Sequence, residues 1–305
     1  MGIFQRMLST QALMFVYMLA GVVIVRAGIL KPEGRSSFIG LLINVTLPCM
    51  ILNAFIQDAG LEALIVGGRM LLISTACVLS SWALGRLLWR RRPPMRRAVL
   101  EFATMFSNAG NAGLPIVSLV FGTEGVLYAS FFLIPIRVLM WTVGISLFVK
   151  EDASRSKWKA LLLNPSLVAV FIGIPLMLTG LRLPGFVSTA ISSVGAMTGP
   201  LSMMIIGASL AGAHPRDVLD ADAWLLSGLR LIALPLAAMG VLRLIGVDAL
   251  SWQVAVTLTA MPAAANTAIL SEMYGCDYAF AARCVVVSTV LSLATVPLLA
   301  LLYSL

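Results

Sequence analysis

The sequence is poor in the residues that carry most enzyme chemistry. Charged side chains make up 11% of its 305 residues, and histidine occurs once, as His214. One histidine excludes a His-based metal cluster, and no HExxH or GxSxG motif is present. We therefore expect no catalytic residues and no metal site, and an intramembrane enzyme is the least favoured of the function classes considered.

Cysteine is also sparse, and the excess of basic residues has a simple explanation. The four cysteines form no CxxC pair and lie in or beside apolar runs, where they act as small hydrophobic residues; they are Cys49, Cys77, Cys276 and Cys284. The net charge is +8, but the basic residues cluster beside apolar runs, where membrane topology accounts for them. No nucleic-acid partner is expected.

Hydrophobic residues make up 60% of the chain, which is typical of an integral membrane protein in a lipid bilayer. A criterion of about 20 apolar residues per span predicts ten transmembrane helices, near 8–29, 36–56, 64–89, 98–121, 125–149, 162–181, 186–211, 223–245, 251–272 and 279–303. The run at 8–29 is too long for the apolar region of a signal peptide, so we expect it to be retained as the first span. An even number of spans places both termini on one side.

The basic residues indicate which side that is. They crowd the first, third, fifth, seventh and ninth connections, whereas the opposite side carries only Arg6, Arg182, Arg243 and the residue Arg69 near a span end. By the positive-inside rule the crowded side is cytoplasmic. The sequence therefore predicts a multi-pass protein of the cell membrane, the bacterial inner membrane, with both termini non-cytoplasmic.

The polar segment at 150–161 divides the spans into two sets of five. We predict a first repeat at 1–149, a cytoplasmic linker at 150–161 and a second repeat at 162–305. An odd number of spans per half gives the halves opposite orientations, as in inverted-repeat transporters. Internal similarity favours this division: LIVGGRMLLI (64–73) matches LLSGLRLIAL (225–234), and LPCMIL (47–52) matches GPLSMMI (199–205).

The fourth span contains the segment FSNAGNAGLPIV (106–117), which no smooth lipid-facing helix would tolerate. Its middle holds Asn108, Gly110, Asn111, Gly113 and Pro115. Glycine loosens a helix, proline removes an N–H group, and asparagine amides need polar partners. Irregular backbone at membrane depth is tolerated only where protein or a wet cavity satisfies it, so this break is predicted to be a binding element.

The ninth span is interrupted in the same way by Pro262 and Asn266. Together with NVTLPCMILNAF (44–55), FSNAGNAGLPI (106–116), LTAMPAAANTAILSEMYG (258–275) and STVLSLATVPLL (288–299), this order of motifs resembles the auxin efflux carrier family, in its bacterial branch of malonate- and malate-permease-like proteins. The resemblance covers nearly the whole chain. It implies ten helices in two inverted five-helix repeats, with the broken fourth and ninth helices crossing at the midplane, and cargo such as auxin, malonate or malate. It also implies a crossover role for Pro115 and Pro262 and a substrate-binding role for the fourth-span asparagines.

Helix ends at the two breaks suggest the chemistry of the site. A new helix N-terminus exposes N–H groups that suit a carboxylate, and the opposite half-helix ends in carbonyls that could hold a cation. The amides of Asn108, Asn111 and Asn266 could bind substrate or only satisfy the broken backbone.

Four further residues are candidates for the site. Arg137 lies about 18 Å of helix from either end of the fifth span, and it either pairs with a substrate carboxylate or clamps broken backbone. Arg230 is shallower and could extend to the interface. Asn44 and Pro48 in the second span either line the cavity or kink the helix.

We therefore predict a secondary carrier of a small organic anion that works by alternating access. The alternative is an inorganic-ion or sodium-coupled transporter or channel on the same fold. No acidic residue lies at mid-membrane, and Glu101 is expected to pair with Arg97. No cofactor is expected, coupling to sodium or protons stays open, and a homodimer is one of the oligomeric states open to it.

Overall fold

The structure is a computed structural model that describes residues 3–30, 32–56, 62–148, 165–211 and 220–304. All regular structure in these residues is helical, and the one extended pairing among them is a single antiparallel bridge between Ser107 and Ala263. The predicted linker at 150–161 and His214 lie outside the described residues. The prediction of an all-α protein is confirmed over the part of the chain that the structure describes.

The helices follow the predicted spans closely. In chain order they are α1 (Ile3–Arg26), α2 (Pro32–Leu41), α3 (Leu47–Ile56), α4 (Glu62–Leu88), α5 (Pro94–Met105), α6 (Leu114–Leu139), α7 (Pro165–Thr179), α8 (Gly185–Ala196), α9 (Thr198–Leu210), α10 (Ala221–Gly228), α11 (Leu234–Leu244), α12 (Ala249–Thr259), α13 (Asn266–Met273) and α14 (Tyr278–Leu301). Short π-helical segments join α2 to α3 and α10 to α11, precede α6 at Ala109–Gly113, and follow α6 at Met140–Gly144.

Six helical stretches in the described residues are long and apolar enough to cross a membrane. They are Ser37–Ile56, Leu64–Leu88, Ala109–Gly144, Gly185–Ala208, Ala221–Leu244 and Tyr278–Leu301. Fewer stretches qualify than the ten spans predicted, partly because α5 and α12 stop after 12 and 11 residues at the two breaks. The total of ten stays a prediction.

Three of the π-helical segments end two residues before a proline. These prolines are Pro48, Pro115 and Pro235, and each occupies the second position of the helix that continues. A proline ring clashes with the carbonyl four residues earlier, and a locally widened turn relieves that clash. The position of Pro48 agrees with the helix-kinking role, which is one of the two roles that the sequence left open.

A glycine, Gly122, marks the connection between the fourth and fifth predicted spans. Helix α6 is interrupted at Gly122, whose φ of 68° and ψ of −159° are outside the helical region. Only glycine adopts this conformation without strain. The chain therefore turns where the sequence predicted a loop between 121 and 125.

The helices pack in two sets. In one set α1 packs on α9, and α3 packs on α7 and α8; in the other, α4 packs on α5 and α6, α12 on α6 and α11, and α14 on α10 and α13. The first set contains a backbone-to-backbone contact, because a Cβ on Gly21 would lie 2.1 Å from the Met204 carbonyl oxygen. Contacts of α1 with α14 and of α3 with α6 join the two sets.

Ion pairs join three helix N-termini within the second set. Arg96 contacts Asp220, Asp222 and Asp277, and Arg92 contacts Asp222 at 2.6 Å. These carboxylates lie at the starts of α10 and α14, and both arginines lie at the start of α5. The expected pairing of Arg97 with Glu101 is confirmed, with 2.6 Å between Nε and Oε1.

Candidate substrate cavity at two helix breaks

The first break separates α5 from α6. The backbone becomes extended at Phe106, with φ −113° and ψ 117°, and becomes helical again at Ala109. The resumed helix makes its first intrahelical bonds with the N–H groups of Ala112 and Gly113, which both donate to the Asn108 carbonyl oxygen. The earlier N–H groups of this turn have no carbonyl of their own helix to donate to.

The second break separates α12 from α13. Helix α12 ends at Thr259, the chain runs through the proline-containing segment 260–265, and α13 begins at Asn266. Pro262 cannot donate a backbone hydrogen bond, which disfavours continuation of α12. A second half-helix N-terminus therefore forms at Asn266.

The two breaks are hydrogen-bonded to each other. The N–H of Asn108 donates to the Pro262 carbonyl oxygen at 2.7 Å, and the N–H of Ala264 donates to the Phe106 carbonyl oxygen at 3.1 Å. Phe106 and Pro262 are as far apart in the sequence as Asn108 and Ala264. Replacing each residue by its counterpart at the other break therefore converts one of these hydrogen bonds into the other. The Ser107 hydroxyl adds a third link, since it donates to the Leu258 carbonyl oxygen at 2.9 Å.

A cavity of about 160 Å³ lies where the two half-helix N-termini meet. Its lining includes Asn108, Gly110 and Asn111 from the first break and Ala265 and Asn266 from the second. Both contributions come from the positive ends of helices, whose first-turn N–H groups favour a negative charge. The volume is below the 300 Å³ that is about the lower limit for drug-sized ligands, so a small ligand is favoured.

Arg137 contributes a full positive charge to this cavity. Its side chain lines the cavity from α6, and its Nη2 lies 3.1 Å from the place where a Cβ on Gly110 would be. The absence of a side chain at Gly110 thus lets the guanidinium approach the helix N-terminus. Across the cavity, the Asn266 amide donates to the Met140 sulfur at 3.1 Å.

Five of the residues predicted from the sequence line this cavity, and six do not. Those that line it are Asn108, Gly110, Asn111, Arg137 and Asn266. Those outside its lining are Asn44, Pro48, Gly113, Pro115, Pro262 and Arg230.

The residues outside the lining have other contacts. Asn44 is exposed and donates to the Gly40 carbonyl oxygen of its own helix at 2.8 Å, so the second span reaches the cavity through Ile43 and Leu47 instead. Gly113 packs closely at the break, because a Cβ there would lie 2.7 Å from Leu258 Cδ2. Pro262 contributes the carbonyl that Asn108 contacts.

Arg230 does not extend to the interface, which was the option that its position in the sequence suggested. Its residue is 2% exposed, and its Nη1 donates to the Thr104 carbonyl oxygen at 2.5 Å. That carbonyl belongs to the last turn of α5, which the break deprives of intrahelical donors. Arg230 thus forms a clamp on broken backbone, a role that the sequence considered for Arg137.

Two residues that line the cavity, Ser107 and Met140, were not among the candidates from the sequence. Ser107 lies within the fourth-span motif, between an aromatic residue and an asparagine. A polar residue at a predicted helix break was the signal that could have marked it as a candidate for the site. Met140 gives no such signal, because a methionine in an apolar helix is usually a core residue. Its contact with Asn266 depends on how the two breaks are brought together.

Comparison with known proteins identifies the family of this chain. A family model described as a membrane transport protein matches residues 8–300. The chain belongs to the auxin efflux carrier family. This family membership confirms the resemblance seen in the motifs and makes the chain a membrane transporter and not an enzyme.

Two archaeal relatives align with this auxin efflux carrier family member over most of their length. One, an uncharacterized transporter of Methanothermobacter thermautotrophicus, is 28% identical over 302 residues, which cover 97% of this chain and 98% of the relative. The other, the uncharacterized transporter MJ1031 of Methanocaldococcus jannaschii, is 24% identical over 284 residues, covering 89% and 90%. With its several apolar helices, this family member is a multi-pass membrane protein.

Proposed function

We propose that the protein is a secondary carrier of a small organic anion, such as a mono- or dicarboxylate, which binds in the cavity between the two half-helix N-termini. The observation that carries this proposal is that both N-termini and the Arg137 guanidinium line one cavity of about 160 Å³. Helix N-termini and an arginine favour a negative ligand for independent reasons, one through partial charges and the other through a full charge.

Each part of the cavity has a role in this proposal. Arg137 binds a carboxylate through charge-assisted hydrogen bonds, for which the planar guanidinium is suited. The N–H groups of the first turns and the amides of Asn108 and Asn111 orient the ligand. Ile43 and Leu47 close the cavity from the other helix set and exclude water.

A second, smaller cavity supports alternating access. It measures about 30 Å³ and is lined from α14 by Thr289, Ser292, Leu293 and Val296, with Pro262 at the break. These four positions of α14 have the same spacing as the four positions of the fifth span that line the larger cavity, Leu133, Ile136, Arg137 and Met140. The larger cavity has room for a small ligand and its counterpart does not, as expected for a carrier in one state of its cycle.

The same correspondence supports the predicted topology. We propose ten spans in two inverted repeats, at 1–149 and 162–305, with the breaks forming the crossover and both termini on the non-cytoplasmic face of the cell membrane. The equivalent pair of hydrogen bonds between the breaks is what two repeats related by a twofold axis would produce. Movement of one helix set against the other would then expose the cavity to each side in turn, in the manner of an elevator.

The test is thermal stabilisation of the purified protein by a panel of mono- and dicarboxylates, with sulfate, phosphate and chloride as inorganic controls. A ligand that binds the native state raises Tm. A shift with at least one acid, matched by uptake of that acid into proteoliposomes, is expected. A shift with an inorganic ion alone, in protein shown to be folded, would replace this proposal with the inorganic-ion alternative.

A further inference from the structure

Arg230 borders a third cavity, which has the opposite electrostatic character. This cavity measures about 10 Å³ and is lined by Arg230, by Met105 at the end of α5 and by Thr259 at the end of α12. Both helices therefore direct their C-terminal ends towards it. Ser107 and Ile136 line this cavity and the anion cavity alike, so the two are neighbours.

The two helix C-termini favour a positive charge in this third cavity. The last carbonyls of a helix lack intrahelical donors and carry the negative end of its dipole. In inverted-repeat carriers such ends help to coordinate the coupling ion, which is sodium or a proton. In this protein the Nη1 of Arg230 donates to the Thr104 carbonyl oxygen in the last turn of α5.

The charge of Arg230 has no acidic counterpart in the part of the chain that the structure describes. No carboxylate of those residues forms an ion pair with it, although its residue is only 2% exposed. Arg69, which the sequence match of 64–73 with 225–234 aligns with Arg230, differs in both respects: it is exposed and pairs with Asp248. A buried guanidinium is costly unless something negative faces it, and the helix ends supply that.

We propose that Arg230 is a built-in cation, which occupies the place where a free metal cation would otherwise bind between the C-terminal ends of α5 and α12. This site therefore takes no sodium ion, and the carrier binds its anion without sodium. The statement about transport rests on the proposed function, whereas the statement about the cation does not.

The dimensions of the cavity agree with this assignment. A volume of about 10 Å³ is close to the minimum for one water molecule, and the charge of the guanidinium beside it disfavours a second cation in the same space. Arg230 Nε and the Thr259 hydroxyl have no hydrogen-bond partner in the described residues, and both line this space. One bound water would satisfy both groups.

Removal of the guanidinium would leave an oxygen-lined space. The Thr104 carbonyl, which now accepts from Arg230, and the Thr259 hydroxyl would remain. Oxygen ligands suit hard cations such as sodium. A small external cation should therefore replace the lost charge.

The experiment measures Tm of the wild type, Arg230→Ala, Arg230→Lys and Arg69→Ala without any organic acid. Each is measured in choline chloride, in sodium chloride and in choline chloride with millimolar ethylguanidinium, at equal ionic strength. We expect the wild type to show the same Tm in all three. Arg230→Ala should lose about 5 °C or more in choline and regain at least half of it with ethylguanidinium or sodium. Arg69→Ala should show no cation-dependent recovery.

Three results would overturn the proposal. These are a sodium-specific rise in the wild-type Tm, an Arg230→Ala variant that no cation stabilises, and an Arg230→Lys variant as unstable as Arg230→Ala. If Arg230→Ala cannot be purified even with ethylguanidinium, Arg230→Lys and Arg230→Gln provide the test. A stable lysine variant together with an unstable glutamine variant supports the built-in cation, and any other pattern overturns it. A failure of all acids to bind would refute the proposed function and leave these results intact.

Discussion

Two cavities meet at the helix breaks and carry an arginine each, yet the arginines have opposite surroundings. Arg137 lies among half-helix N-termini, in a cavity of about 160 Å³. Arg230 lies among half-helix C-termini, beside a space of about 10 Å³. Positive helix ends add to the charge of Arg137, whereas negative helix ends offset the charge of Arg230. The same side chain is thereby suited to hold a mobile anion in one place and to replace a cation in the other.

Arg137→Gln tests the anion side of this comparison and should have the largest effect. Loss of a charge-assisted pair, at about 1.5–3 kcal/mol per hydrogen bond, should weaken carboxylate binding by about 100-fold or more. We expect the fold to persist, because glutamine keeps a polar amide at this position and removes only the charge. Ligand-induced Tm shifts measure the affinity, and Arg243→Gln, a surface arginine over Trp252, is the matched control. Unchanged affinity would make Arg137 structural.

Arg230→Gln should show the reverse pattern. Thr104 lies in the buried last turn of α5, so loss of the cation should lower stability by about 2–3 kcal/mol, while acid affinity in folded protein changes less than about threefold. Chemical denaturation in detergent gives the stability, and Tm shifts with acid give the affinity. A variant that loses affinity and keeps its stability would exchange the roles assigned to the two arginines.

Asn111→Leu tests whether the asparagines bind the ligand or only satisfy the backbone. Asn111 lines the anion cavity, and the backbone bonds of the break come from other groups. We expect uptake to fall at least about tenfold, as for a lost polar contact of about 1.4 kcal/mol, with an unchanged Tm in the absence of acid. Normal uptake would remove Asn111 from the site.

Gly110→Ala tests the role of the cavity in acid binding, and Gly113→Ala tests the role of the packing around it in stability. A Cβ at Gly110 would lie 3.1 Å from Arg137 Nη2, which can shift, whereas one at Gly113 would lie 2.7 Å from Leu258 Cδ2 in the core. Gly110→Ala should weaken acid binding by about threefold to tenfold. Gly113→Ala should lower stability by about 1–3 kcal/mol through overpacking. Parallel measurements of Tm and acid affinity distinguish the two, and equal effects on both quantities would contradict the division.

Asn44→Ala should have the smallest effect. Its exposed amide bonds to Gly40 within the same helix and lies outside the lining of the anion cavity. Acid affinity should stay within about twofold of the wild type, and stability within about 0.5 kcal/mol. A large loss of affinity would place the second span in the site through Asn44, which was one of the two roles open from the sequence.

Much of the architecture could be predicted because local chemistry determines it. Apolar runs predicted the helices, and Asn108, Gly110 and Pro115 within one run predicted a break, since each disfavours a lipid-facing helix whatever its neighbours. The motif order also predicted the family correctly. Asn44 and Pro48 were harder, because which face of a helix meets a cavity depends on its rotation against its partners.

The sequence by itself determined that this chain spans a membrane, where its helices break, and that an arginine lies deep in the predicted fifth span. Only the tertiary structure decided that the breaks bond to each other through Asn108 and Ala264. It also decided which arginine faces helix N-termini and which faces C-termini. The physical reason is that the effect of a helix dipole depends on distance and direction in space, and residues more than a hundred positions apart acquire these only when the helices pack.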